Sequence, residues 1–224
     1  MRAAAAMVRA PRGGKAAKTL RELFATPLYE ASLAGEAGFA AFNAELEEGC
    51  LMLAREDLAG RAWARANLYP GYTSYASLND LPARATVFAR LKVKLDRHVA
   101  AFADALAFDL GPRGRLKLDS LWASVIRAGG AHGGHIHPSS VISGTVYVAT
   151  PPGSGALRLE DPRGPLMMAA PPRRADAPEA RRTFVTLEPA PGRLFLWESW
   201  LRHEVLPGRA RSPRISLSFN YAWG

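Results

Sequence analysis

Little in this sequence can be cross-linked, inserted into a bilayer or exported. One cysteine, Cys50, stands in 224 residues, so no intrachain disulfide can form. It falls on a segment that reads as an apolar helix face, and a cytoplasmic location suits such a thiol. No apolar run approaches the roughly 20 residues that a bilayer-crossing helix needs, because Arg, Asp or Pro interrupts each candidate. Residues 1–18 lack the continuous apolar stretch and small-residue cleavage site of a secretory signal. Their Ala, Arg, Lys and Gly content is shared with organellar transit segments, but the plainer reading is a disordered basic tail. No internal repeat is visible. Acidic residues are also in short supply, 20 against 29 Lys and Arg, for a net charge of +9. Such an excess invites a nucleic-acid partner through phosphate neutralisation. The basic residues are scattered, however, and dense only near the start and from Arg173-Arg174 to Arg181-Arg182, which argues against nucleic acid and leaves acidic small molecules open.

At 48% hydrophobic the chain can bury one sizeable core. We therefore expect one domain over residues 19–224, with helical support over 36–111 and a barrel over 116–224. Phe39, Phe42, Leu46, Cys50 and Leu53 recur at helical spacing, as do Phe88, Leu91, Leu95, Val99, Phe102 and Leu106. Thr86 is the expected N-cap of the second helix and Gly111-Pro112 its stop. The two amphipathic faces leave a homodimer open. Between the helices, Asn67 to Pro82 has the composition of an ordered loop able to cover something. From Leu116 the period changes to two, and strands are expected over Leu116–Ile126, Val141–Ala149, Ala156–Glu160, Thr183–Leu187, Arg193–Trp197 and Arg214–Ala222. Pro171 to Pro178, flanked by arginines, reads as an insertion. Helices followed by many short strands indicate an α+β arrangement around a barrel or sandwich.

Four of the five histidines fall in two places, AHGGHIHP at Ala131–Pro138 and WESWLRHEV at Trp197–Val205. Residues two apart in an extended chain point the same way, so His135 and His137 can present both imidazoles to one point while His203 arrives from a distant strand. Three neutral imidazoles suit a divalent transition metal. In the last strand, Ile215, Leu217, Phe219 and Tyr221 alternate with Arg214, Ser216, Ser218 and Asn220. A polar row turned into a barrel needs a polar partner, since a buried unpaired guanidinium is strongly unfavourable. A carboxylate ligand supplies it: Arg214 offers a planar fork and Ser216 a hydroxyl two positions on. Trp122, Trp197 and Trp200 are candidate apolar walls.

The segments HIHPSSVISGTVYV (His135–Val148), LEDPR (Leu159–Arg163), PGRLFLWESWLRHEV (Pro191–Val205) and RISLSFNY (Arg214–Tyr221) together resemble a bacterial and phage group of the 2-oxoglutarate- and Fe(II)-dependent oxygenases. The resemblance is strong over the C-terminal half and looser over the helical half. It implies a double-stranded β-helix (jelly-roll, cupin-like) barrel with N-terminal packing helices, iron bound by His135 and His203, and the distal carboxylate of 2-oxoglutarate bound by Arg214 and Ser216, with Tyr147 as a further contact. The wider superfamily carries His-x-Asp or His-x-Glu where this chain has His137. The shell is therefore completed by His137, by His132, or by Glu160 or Asp161. The resemblance also implies the reaction: 2-oxoglutarate and O2 give succinate and carbon dioxide with hydroxylation of a small-molecule or peptide substrate. A cupin-type metal-dependent dioxygenase or hydrolase that uses no keto acid, and a metal-binding protein without activity, are the alternatives.

Overall fold

The computed structural model describes residues 20–224, so the basic tail expected over residues 1–18 lies outside the described residues. The first strand, β1 (Tyr29–Ser32), precedes a helical layer of α1 (Phe39–Glu56) and α2 (Leu58–Ala66). A short β2 (Gly71–Thr73) and a long α3 (Thr86–Ala105) follow. The expected faces of α1 and α3 are the buried ones: Phe42, Leu46 and Cys50 on the former, Phe88, Leu91, Leu95, Val99 and Phe102 on the latter. Both ends of α3 differ from expectation. Ala85 is the N-cap and Thr86 already lies in the first turn. The helix closes before Gly111, where Ala107 takes a positive φ of 54° and the Ala107 and Phe108 amides fold back onto Asp104 and Ala103 carbonyls.

Apart from two 3-10 turns, Gly164–Leu166 and Glu179–Arg181, the regular structure of the second half is strand: β3 (Leu116–Ile126), β4 (His132–His135), β5 (Ile142–Ala149), β6 (Leu157–Glu160), β7 (Phe184–Leu187), β8 (Arg193–Glu198), β9 (His203–Val205) and β10 (Arg214–Trp223). They form two sheets, β1-β8-β5-β10-β3-β2 and β4-β9-β6-β7, and every strand-to-strand pairing within them is antiparallel. Chain neighbours alternate between the sheets from β3 to β6 and from β7 to β10. The result is a double-stranded β-helix. None of the helices is long and apolar enough to cross a membrane among the described residues.

The larger sheet separates two apolar cores. Outward-facing Leu217, Phe219 and Tyr221 of β10, with Val146 of β5 and Leu194 and Leu196 of β8, pack with Phe42, Leu46, Phe88, Leu91 and Leu95 of the helices. Each such side chain contributes about 1.5–3 kcal/mol by leaving water. Gly144 of β5 makes this possible, because a Cβ there would come within 2.5 Å of Phe219 and 2.6 Å of Leu196. The second core, between the sheets, gathers Tyr147, Leu157, Leu159, Leu187, Phe195, Trp197 and Leu201. The register of β10 fixes what faces inward with it: Ser216 lies opposite Ser124 of β3 and Tyr147 of β5, Ser218 opposite Trp122 and Thr145, and Asn220 opposite Ser120 and Ser143.

Candidate metal centre

Pairing in the smaller sheet assembles the imidazoles. β4 runs antiparallel to β9 with His135 opposite His203, and β6 flanks β9 on its other side. His137 lies two residues past His135, and its amide donates to the Ser199 carbonyl at 2.9 Å, which pins the chain as it leaves β4. One nitrogen from each of His135, His137 and His203 lies within 4.8 Å of the other two. Ring centroids are 5.1 Å apart for His135 and His137, 4.4 Å for His135 and His203, and 5.2 Å for His137 and His203. These are the three residues that the sequence pointed to, now facing one point.

Backbone carbonyls set the tautomers of two rings. His203 Nδ1–H donates to the Leu201 carbonyl and His135 Nδ1–H to the Gly133 carbonyl, each at 2.9 Å, so both Nε2 lone pairs are free to bind. Burial lowers the pKa of every ring in the cluster, and for His203, His137 and His132 repulsion from neighbouring imidazoles adds to it. His203 falls to about 3 and His137 to about 4, while His135 is lowered by burial with a smaller push from Arg202. Neutral imidazoles with oriented lone pairs are what a divalent transition metal requires.

The inner row of β10 supplies the other half. Arg214 is buried, its Nε has no hydrogen-bond partner among the described residues, and its guanidinium lies 4.8 Å from the Tyr147 ring centroid. The fully buried Tyr147 hydroxyl is likewise without a partner. Burial raises its pKa, against a smaller pull from the Arg214 charge, so it remains a donor. A carboxylate fits these donors, since a buried cation and hydroxyl without acceptors are costly until an acceptor arrives. Arg214, Ser216 and Ser218 line one cavity of about 50 Å³ with the three imidazoles. A larger cavity, about 710 Å³, lies beside residues 20–28 and contains none of them. Its Arg163 and Arg181 are paired with Asp161 and Glu22.

Other expected residues divide. His132 joins the cluster from the far end of β4, its ring stacked on His135 at 4.5 Å and set edge-on to Tyr69 at 5.4 Å. Burial and its neighbours lower its pKa to about 4. Glu160 pairs with Arg202 at 2.9 Å, and Asp161 takes two bonds at 2.9 Å from Arg163, so both acids are engaged away from the imidazoles. Trp122 and Trp197 line the cavity, whereas Trp200 is 44% exposed and does not. Sequence reasoning missed Tyr69 and Ser124 as lining residues. Ser124 was readable, because Ser120, Trp122, Ser124 and Ile126 alternate on β3 as the polar row does on β10. Tyr69, on the segment before β2, carried no such signal.

Residues 120–220 match the family model described as "Putative 2OG-Fe(II) oxygenase". No curated protein sequence matches the chain. Among solved structures it is similar to a Pseudomonas putida prolyl-4-hydroxylase, at 17% identity over 87% of this chain and 92% of that one, with a TM-score of 0.57. HygX from Streptomyces hygroscopicus, with nickel and 2-oxoglutarate bound, aligns at 16% identity over 88% and 82%, TM-score 0.53. The epimerase SnoN, in complex with Fe3+, alpha ketoglutarate and nogalamycin RO, aligns at 16% over 88% and 79%, TM-score 0.59. At these identities the likeness is one of fold.

Proposed function

For a chain whose residues 120–220 match the 2OG-Fe(II) oxygenase family model, we propose that His135, His137 and His203 hold the iron and that Arg214, Ser216 and Tyr147 hold the distal carboxylate of 2-oxoglutarate, for hydroxylation of a small-molecule or peptide substrate. The observation that carries this reading is the meeting, around one cavity, of three imidazoles and a buried guanidinium without an acceptor. When bound, iron and the keto acid supply the oxidising chemistry, in which O2 is reduced as 2-oxoglutarate loses carbon dioxide to become succinate.

The chain's own residues position and enclose. His135, His137 and His203 would hold the ion through three nitrogens and would leave its remaining positions to reagents. Arg214 and the Tyr147 hydroxyl orient the co-substrate from its far end, and Ser216 adds a hydroxyl two residues along the same face. Trp122 and Trp197 exclude water around His137 and His203, at ring distances of 5.9 and 4.7 Å.

The all-imidazole set favours a second reading, a cupin-type dioxygenase that needs no keto acid; the unpaired donors at Arg214 and Tyr147 favour 2-oxoglutarate. An anaerobic titration with Fe(II) and then 2-oxoglutarate separates them. We expect the visible charge-transfer band of the metal–keto acid chelate, and succinate once air is admitted. Iron binding with neither band nor succinate would sink the proposal.

Our reading includes no nucleic-acid partner: the basic residues are scattered along the sequence, and Arg84, Arg90, Lys94 and Arg193 each pair with an acid, Asp80, Glu45, Glu36 and Glu30 in turn. The helical faces that left a homodimer open are spent inside the molecule against the larger sheet.

A further inference from the structure

Trp197 was expected to be an apolar wall, and its ring does lie against His203 with centroids 4.7 Å apart. Its indole nitrogen contradicts a purely apolar role. Trp197 is 2% exposed, it lines the cavity of the imidazoles, and its Nε1–H has no hydrogen-bond partner among the described residues. The neighbouring groups are committed elsewhere. His203 donates Nδ1–H to Leu201 and keeps Nε2 for the metal. Ser143, opposite Trp197 on β5, donates to Asn220 at 2.8 Å and so accepts from Ser199, also at 2.8 Å. A phenylalanine would fill the same space without burying an orphan donor, whose desolvation is unfavourable. The donor therefore calls for an acceptor that enters with a ligand.

Strand register indicates which part of the ligand that is. Tyr147 and Ser143 are four residues apart on β5, about 13 Å along the strand. Arg214, its guanidinium against Tyr147, marks one end of the cavity, and Trp197, opposite Ser143 and against His203, marks the other. A dicarboxylate has an anionic group at each end. On the reading above, its distal carboxylate occupies the Arg214 end, and its keto acid end reaches the imidazoles.

We propose that Trp197 is a co-substrate-binding residue whose indole N–H donates a hydrogen bond to the keto-acid carboxylate of 2-oxoglutarate seated at His135, His137 and His203. This rests on the proposed function.

The test uses protein loaded with Zn(II), which supports no turnover, and follows the five tryptophan indole N–H resonances by NMR. Trp197→Phe identifies its own signal by removing it. We expect that signal to move downfield as 2-oxoglutarate is added to the parent protein. Trp197→Phe should bind 2-oxoglutarate roughly tenfold or more weakly, the size of one hydrogen bond to a charged acceptor, with Zn(II) affinity unchanged. A stationary Trp197 signal while 2-oxoglutarate binds, or equal 2-oxoglutarate affinity in the variant, overturns the assignment and leaves the proposed function standing. Failure of the parent protein to bind 2-oxoglutarate at all overturns both.

Discussion

One inward face of β10 carries two polar clusters that treat their hydrogen bonds differently. Toward its C-terminal end Asn220 accepts from Ser143 at 2.8 Å and donates to Ser120 at 3.3 Å, while Ser199 completes the chain at 2.8 Å. Every member is at most 5% exposed. Toward its N-terminal end Arg214 and the adjacent Tyr147 are as deeply buried but retain a donor each with no acceptor among the described residues. Closed networks of this kind fix register and shape; open ones raise the free energy of the empty protein and lower it when the right acceptor binds. Burial alone would not separate the two clusters. Unmet valence does.

Substitutions can break this comparison at either end, and the largest effect belongs to the imidazoles that the open end serves. His203→Ala should weaken Fe(II) binding by more than about 100-fold, beyond the 10- to 100-fold typical of groups that merely support a ligand, as read by a competitive chelator titration. Unchanged metal affinity would remove His203 from the site. Next comes Arg214→Met, which should weaken 2-oxoglutarate by about 2–5 kcal/mol, or roughly 30- to several-thousand-fold, in an equilibrium titration. The same variant should leave the ligand-free protein as stable as the parent or more so, because an orphan donor is removed. Asn220→Ala should do the reverse, costing about 1–3 kcal/mol of stability in urea unfolding with little effect on 2-oxoglutarate affinity. If both variants lost stability equally, the distinction between open and closed clusters would fail.

The smallest effect lies in a third cluster, closed and charged, outside the barrel. Asp57 caps α2 by accepting from the Gly60 amide at 2.9 Å and also accepts from Tyr72 and Ser77, so that it ties the segment around β2 to the helices. Burial would raise its pKa, but the bonds from Gly60, Ser77, Tyr72 and Ala59 outweigh it and lower it below the usual 3.8. A carboxylate depressed in this way stabilises the fold above its unfolded value and stops doing so as the pH falls through the folded one. Asp57→Ala should therefore cost about 1 kcal/mol at pH 7. The deficit should shrink below pH 3.8, and a deficit independent of pH in denaturant melts would assign the effect to packing alone.

Periodicity made the large elements legible. The apolar faces of α1 and α3 and the alternation of β10 each repeat often enough to outvote individual exceptions, and their buried positions are those expected. Among the elements of three or four residues, β6 and β7 were legible from their alternation, whereas β1, β2 and β9 went unseen although β9 carries His203. α2 escaped because its sequence, LAGRAWARA, buries only Gly60 and Ala64, two small residues with little apolar signature. At the site, the trio could be read because His135 and His137 keep the spacing of two that an extended chain rewards. The engagement of Glu160 and Asp161 with Arg202 and Arg163 could not, since it depends on partners brought close by folding.

The side to which His132 points turns on arithmetic. Three positions separate it from His135, and in a regular strand an odd interval sends two side chains to opposite faces. β4 does not keep the count: His132 is opposite Val205 and His135 opposite His203, so three steps on one strand answer two on the other. A bulge through Gly133 and Gly134 absorbs the extra residue. Parity is thereby reversed at a single point, and a fourth imidazole is delivered to the same side as the other three without disturbing the strand that follows.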